Sequence, residues 1–420
     1  MNEVKFPEGF LWGAATAGHQ IEGDNIHSQN WQEEIKNKYP EPSGKACNSW
    51  ELFDEDAKLI SELGLQAYRM SIEWSRIQPE EGFYNNEALE RYLKYIAKLN
   101  ACGIKVFITL HHFTHPYWFE KKGGFRERKN IDCFLKYLDY IIPKISSLVS
   151  GWTVINEFNL NRNFIESNDF KANMLITHAK AYYLIKQFSD APVSTAHALA
   201  DLQPDNENDK FDRISSEFSE WITNEFFFHA LRTGEIVLPY RDVEYCGELK
   251  GAVDFWALNY YTRHLISARN AHMKKDRYAC NRVDMIDKDF YLNEMYPEGL
   301  IKRLDRLKDK PVYITENGCS CDDDRLRIIF ITRYLHALSE AIQRGVDVRG
   351  YFYWSLMDNY EWGSFKPKFG LCEVDLKNFS RTPKESAYYY RRIIAANGIP
   401  LELKNSFLNK ICNLKGYTLT

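Results

Sequence analysis

Short apolar runs alternate with longer amphipathic stretches along this chain. The runs are FLWGAAT near residue 10, QAYRMSI near 66, IKVFITL near 104 and GWTVIN near 151. They continue with PVSTAH near 192, VDFWALNY near 253, PVYITE near 311 and RGYFYWSL near 349. Each is rich in β-branched and aromatic side chains, which is how a strand buried on both faces reads. Between them lie helical patterns. WELFDEDAKLISELG places Leu52, Phe53, Leu59, Ile60 and Leu63 on one side. EALERYLKYIAKLNACG ends at Gly103 and RLRIIFITRYLHALSEAIQRG at Gly345, both plausible helix stops. Eight strand–helix units in series predict an α/β fold, a single (β/α)8 TIM barrel with its active site at the C-terminal ends of the strands. A doubly wound open sheet would carry a glycine-rich phosphate turn after its first strand; Ala14, Ala15, Thr16 and Ala17 stand there instead.

Composition narrows the class. No linker, repeat or low-complexity tract divides the 420 residues, so a single barrel domain is expected over 1–420, with a short tail after about 398. Hydrophobic residues at 45% and charged residues at 27% describe a soluble globular chain. A net charge of −4, mixed in sign, points away from nucleic acid or a membrane surface as partner. MNEVKFPEGF lacks the apolar core of a secretory signal, and no apolar run approaches the roughly 20 residues a membrane helix needs. The nine cysteines are scattered; Cys319 and Cys321 suit neither a zinc knuckle nor a redox motif. The expected compartment is the reducing cytoplasm.

The candidate chemistry lies just after each strand. The first run leads to Gln20 and Glu22, the second to Arg69, Glu73 and Trp74, the third to His111 and His112. The fourth leads to Asn156 and Glu157, the fifth to His197, the sixth to Asn259, Tyr260 and Tyr261. The seventh gives Glu316 and Asn317, the eighth Trp354, Glu361 and Trp362. Amides and carboxylates pair with hydroxyls, and aromatic faces stack on the C–H face of a pyranose, so this mix suits a sugar. Adjacent His111 and His112 cannot both point inward from one strand, and no G-x-S-x-G nucleophile turn occurs. No metal or cofactor is expected. Carboxylates after strands four and seven suit glycoside cleavage, one as proton donor and the other as attacking group at a separation of about 5–5.5 Å, or as base to a water at a larger one. A charged neighbour raises the pKa of the donor, while Arg69 keeps the attacker ionised and Tyr261 orients it. Glu22 and Glu73 read as structural, His197 as a core histidine, Tyr388–Tyr390 as packing and surface, and DNENDKFDR near 205 as a solvated loop.

Several of these pieces together resemble glycoside hydrolase family 1, the β-glucosidase and β-galactosidase family, from about residue 6 to 396. FLWGAATAGHQIEG is similar to its N-terminal signature, AYRMSIEWSRI to its second-strand motif and TLHHF to its third. INEF resembles the acid/base motif, NYYT the sixth-strand motif, ITENG the nucleophile motif, and WSLMDNYEW with KFG the sugar-binding end. The resemblance implies a retaining β-glycosidase acting on terminal β-glucosides, with galactosides or fucosides as related substrates. It makes Glu157 the acid/base and Glu316 the nucleophile, supported by Arg69 and Tyr261. It also implies that Gln20 holds the 3- and 4-hydroxyls, His112 the 3-hydroxyl and Asn156 the 2-hydroxyl, with Asn259 beside them. Trp354 becomes a stacking floor, and Glu361, Trp362 and Phe369 face the 4- and 6-positions.

Three departures from the family pattern stand out. Phe158 follows Glu157 where most members have Pro, which predicts altered loop packing. Phe113 replaces a common Trp and removes an indole N–H donor. The segment after the fourth strand, RNFIESNDFKANMLITHAKAYYL, is short, which predicts a more open or differently shaped leaving-group site. Two rival activities share the pattern. A 6-phospho-β-glycosidase would use cations such as Lys366 and Lys368, against the repulsion of Glu361. A catalytically silent sugar-binding relative usually lacks one carboxylate, and both are present here.

Overall fold

The computed structural model describes residues 3–160, 166–269 and 293–403. Eight parallel strands close into a barrel in chain order. We label them β1 (Leu11–Ala15), β2 (Ala67–Ser71), β3 (Lys105–His111), β4 (Gly151–Asn156), β5 (Val193–Pro204), β6 (Trp256–Ile266), β7 (Val312–Asn317) and β8 (Val348–Trp354). Each apolar run read from the sequence falls on one of them. Closure comes from β8 pairing with β1, Gly350 to Leu11 through Trp354 to Ala15.

Helices follow the strands and cover them. Leaving aside helices of six residues or fewer, the first three are α1 (Phe53–Glu62), α2 (Asn86–Ala101) and α3 (Ile131–Ile145). Then come α4 (Glu166–Lys186), α5 (Lys210–Glu220) and α6 (Phe226–Thr233). The last are α7 (Pro297–Leu304), α8 (Asp324–Gln343) and α9 (Glu385–Ala396). Asn85 caps α2 by accepting from the Ala88 N–H, and Gly103 takes the left-handed conformation just beyond its end. DNENDKFDR is not wholly a loop. Asp209 accepts from the Phe211 N–H and starts α5, so the polar run holds a helix cap. Tyr389 and Tyr390 are buried and Tyr388 exposed, as expected of one helix carrying three tyrosines. The described part of the tail is tied down, because Gly398–Ile399 pairs with Val4–Lys5; 404–420 lie outside the described residues.

Two cores result. Strand and helix side chains form the outer one, with Trp12, Trp152 and Trp256 fully buried. Inside the barrel, Phe107 and Phe352 meet at 5.0 Å among small residues such as Ala15, Ala67, Ala196 and Ala257. Gly151 makes room for Phe107: a Cβ there would lie 2.3 Å from its ring. This plug fills the barrel below its C-terminal mouth, so polar groups can gather above it. Among the described residues no helix is long and apolar enough to cross a membrane.

Candidate active site

A cavity of about 640 Å³ opens at the C-terminal end of the barrel. It is lined by Gln20, His112, Phe113, Glu157, Asn259, Tyr261, Glu316, Trp354, Glu361, Trp362 and Phe369. Arg69 and Asn156 are buried behind that wall, where they hold other members.

The two glutamates reach the cavity through irregular strand ends. On β7, Ile314 packs in the outer core, while Thr315 donates inward to Asn259 Oδ1 at 2.7 Å. Strict alternation would turn Glu316 outward. The register against β6 shifts between Ile314 and Glu316, and the carboxylate comes back in. On β4 the register shifts between Thr153 and Asn156, so Ile155 stays in the outer core and Asn156 turns inward. Glu157 then adopts φ of 49°, a strained value for a side chain of this kind, with its N–H fixed to Ala196 O at 2.8 Å.

Their surroundings differ. Arg69 donates to Glu316 Oε1 at 2.6 Å, and the Tyr261 hydroxyl donates to Oε2 at 2.7 Å. Arg69 is itself fixed by Thr109 Oγ1 at 3.0 Å and Asn156 Oδ1 at 2.6 Å. Glu157 accepts one neutral bond, from Asn259 Nδ2 at 2.8 Å. Burial raises the pKa of both carboxyls. At Glu316 the Arg69 charge and the Tyr261 hydroxyl oppose it. At Glu157 the Glu316 charge adds to burial, and the carboxyl is pushed up to about 8. One proton shared by this pair therefore resides on Glu157. Burial and the Glu316 charge also hold Tyr261 well above the usual phenol range, so it stays a donor.

The far end carries the sugar-type groups. Trp354 donates to Glu361 Oε1 at 3.2 Å, and its ring stacks on His112 at 5.9 Å. Phe113 meets Trp362 edge-on at 5.1 Å, and Phe369 meets Tyr261 at 6.2 Å. Gln20 donates to Asn359 Oδ1 and Tyr360 O, which aims its amide. Gln20 Oε1 and His112 Nδ1 are buried and have no partner among the described residues. Hydroxyls of a ligand would satisfy such groups. Burial and the Arg69 charge hold the His112 pKa well below the usual histidine range, so it is neutral.

Other expected residues sit apart. His111 turns away and packs edge-on against Phe125. Glu22 bonds Arg76 and Tyr92, and Glu73 bonds Asn25 and Thr114, both behind the site. His197 stacks on Phe227 at 4.6 Å. Phe158 packs against Phe226 and Phe227 of α6, each at 6.0 Å, so the residue in the proline position is a peg into that helix. Lys366 and Lys368 do not line the cavity. Sequence reading missed the opposite wall, built from Asn159, Lys171, Leu199, Leu202 and Ile222. The short segment expected there begins at 162, and 162–165 lie outside the described residues.

The model of glycosyl hydrolase family 1 matches residues 2–399. β-Glucosidase A of Thermotoga maritima is 30% identical, over 95% of this chain and all of that protein. A 6-phospho-β-galactosidase of Leptotrichia buccalis is 29% identical, over 93% of this chain and 98% of its own. Among solved structures, a β-glycosidase from Pyrococcus horikoshii superposes with a TM-score of 0.87 at 36% identity, covering 96% of this chain and 98% of that one. The chain belongs to glycosyl hydrolase family 1.

Proposed function

We propose that this chain is a retaining β-glucosidase in which Glu316 is the nucleophile and Glu157 the acid/base. Membership of the family makes it a glycosidase that retains anomeric configuration. The observation that supports the two roles is the unequal environment of the carboxyls. Glu316 has an arginine and a phenol on its two oxygens, whereas Glu157 has one amide and a pKa near 8.

In the first step, Glu316 attacks the anomeric carbon while Glu157 gives its proton to the leaving oxygen. Bond formation removes the negative charge that raised the Glu157 pKa. Glu157, left as a carboxylate with a lowered pKa, stays ionised and takes a proton from the water that displaces Glu316 from the anomeric carbon in the second step. Glu361 at the opposite end, with no lysine or arginine lining that end among the described residues, supports an uncharged sugar over a phosphorylated one. The free thiols of the described residues support a reducing, cytoplasmic setting.

The test is p-nitrophenol release from β-glucoside, β-galactoside and β-fucoside, each beside its 6-phosphorylated counterpart where one exists. Wild type should prefer the plain glucoside, and Glu316→Gln should lose about 10³-fold or more in kcat/KM. Equal activity in the two proteins rejects the role of Glu316; preference for the phosphorylated substrate rejects the glucosidase reading. NMR of the first product should show the β-anomer.

A further inference from the structure

Just past the strand end that bears Glu316, irregular backbone leads from β7 to α8 and carries two thiols. Cys319 and Cys321 are both free and buried, and their sulfurs lie 3.8 Å apart. Cys321, at 7% exposure against 2% for Cys319, is the one nearer solvent. Cys47 differs: its buried thiol donates to a backbone carbonyl, Asp358 O, at 3.2 Å.

The surroundings favour a thiolate on one member of the pair. The Cys319 thiol, donating to Cys321, and the Arg327 charge hold Cys321 below the usual thiol range. Burial and the Cys321 charge hold Cys319 well above it. Arg327 is itself buried and donates to Cys321 O at 3.2 Å. A thiol lowered in this way is the reactive one of a pair.

The loop also touches the cavity wall. Gly318 presses on Trp354 O so closely that a Cβ would lie 1.7 Å from it. Ser320 and Cys321 clasp Lys368: the Lys368 N–H donates to Ser320 Oγ at 3.2 Å, and the Cys321 N–H donates to Lys368 O at 3.3 Å. The next residue, Phe369, lines the cavity and meets Tyr261, whose hydroxyl holds Glu316 Oε2. Bonded sulfurs sit about 2.0 Å apart. Closing the gap between Cys319 and Cys321 therefore draws on the segment that carries Phe369.

We propose that Cys319 and Cys321 form a reversible dithiol–disulfide switch, closed by a hydroperoxide, that shifts the Phe369 side of the cavity relative to Glu316. Cys321 sulfur takes one oxygen from hydrogen peroxide and becomes a sulfenic acid, and water leaves. Cys319 sulfur then attacks Cys321 sulfur, and the displaced hydroxide departs as water with the Cys319 proton. Two thiols are oxidised to one disulfide, and one peroxide is reduced to two waters. A dithiol reductant reverses the bond by exchange. The reduced protein is the active form.

Bond formation is read by mass, without turnover of any substrate. Treat the full chain with hydrogen peroxide, alkylate the remaining thiols and digest with trypsin, which releases both cysteines in the single peptide 309–325. That peptide should be unalkylated and two hydrogens lighter than its reduced form. On whichever aryl β-glycoside the reduced protein prefers, kcat/KM should fall about tenfold or more after peroxide, as a small displacement in a catalytic site can cause. Dithiothreitol should restore it. Cys321→Ser should keep its kcat/KM through the same treatment, a comparison made within one protein and so independent of how much of it folds. Thiols that stay open to alkylation in peroxide-treated wild type overturn the switch, as does a bond that leaves kcat/KM unchanged. An equal loss in Cys321→Ser overturns it as well. Peroxide-sensitive turnover of other β-glycosides but not of glucosides upholds the switch and overturns the β-glucosidase reading.

Discussion

Glu157 and Glu316 carry identical side chains, and their neighbours alone set them apart. Arg69 and Tyr261 stabilise charge on Glu316. Burial and that same charge keep a proton on Glu157 up to about pH 8. In the proposed roles the first half-reaction needs the proton there, so activity is present below this value and lost above it. We expect kcat/KM to fall tenfold per pH unit on an alkaline limb beginning near 8. The coupling has a second signature. Glu316→Gln removes the negative neighbour, so Glu157 should titrate at lower pH in that variant. Carbon-13 NMR of glutamate-labelled protein reads this titration directly. An unmoved midpoint would show that burial alone raises the Glu157 pKa.

At the scale of strands, the sites of irregularity matter more than the strands themselves. All eight runs were legible because a strand buried on both faces is apolar throughout. Side-chain direction at the ends of β4 and β7 was not, because alternation turns Glu316 outward and only the register shift brings it in. The overrun of β5 and β6 was hidden as well: Asp201 and Pro204 are of types depleted in strands, and pairing with β6 keeps them extended. Close packing holds the rim. A Cβ on Gly318 would sit 1.7 Å from Trp354 O, so Gly318→Ala must part the ends of β7 and β8. Overpacking of this kind costs about 1–3 kcal/mol. It also moves Glu316 relative to Trp354, and a shift of about 1 Å can cost about 100-fold in rate. Thermal unfolding and kcat/KM should both fall; if neither changes, this contact does not set the site geometry.

Across the whole molecule, legibility followed chain locality. The end of the cavity around Trp354 and Glu361 was readable because its residues sit in short motifs at successive strand ends. The opposite wall was not, because Leu199, Ile222 and Lys171 come from β5, the π-helical turn Trp221–Glu225 and α4 and share no local pattern. The same long-range packing buries His178 and His197, both outside the cavity. His178 lies between Thr195 Oγ1 at 2.8 Å and Ala252 O at 2.6 Å, joining α4 to β5. His197 lies against Phe227. Burial lowers His178 to about 4 and His197 to about 3 from an ordinary 6.5. Both are neutral when folded near pH 5, whereas the unfolded chain protonates them below 6.5. The unfolded state then binds more protons, so the stability these groups contribute is full above 6.5 and declines as pH falls toward 4 and 3. Each adds a slope of up to about 1.4 kcal/mol per pH unit within that window. The thermal midpoint at fixed scan rate should therefore drop between pH 7 and pH 5. His197→Phe should narrow that drop, because phenylalanine keeps the stack on Phe227 and has no proton to gain. An equal drop in both proteins would assign the acid sensitivity to other groups.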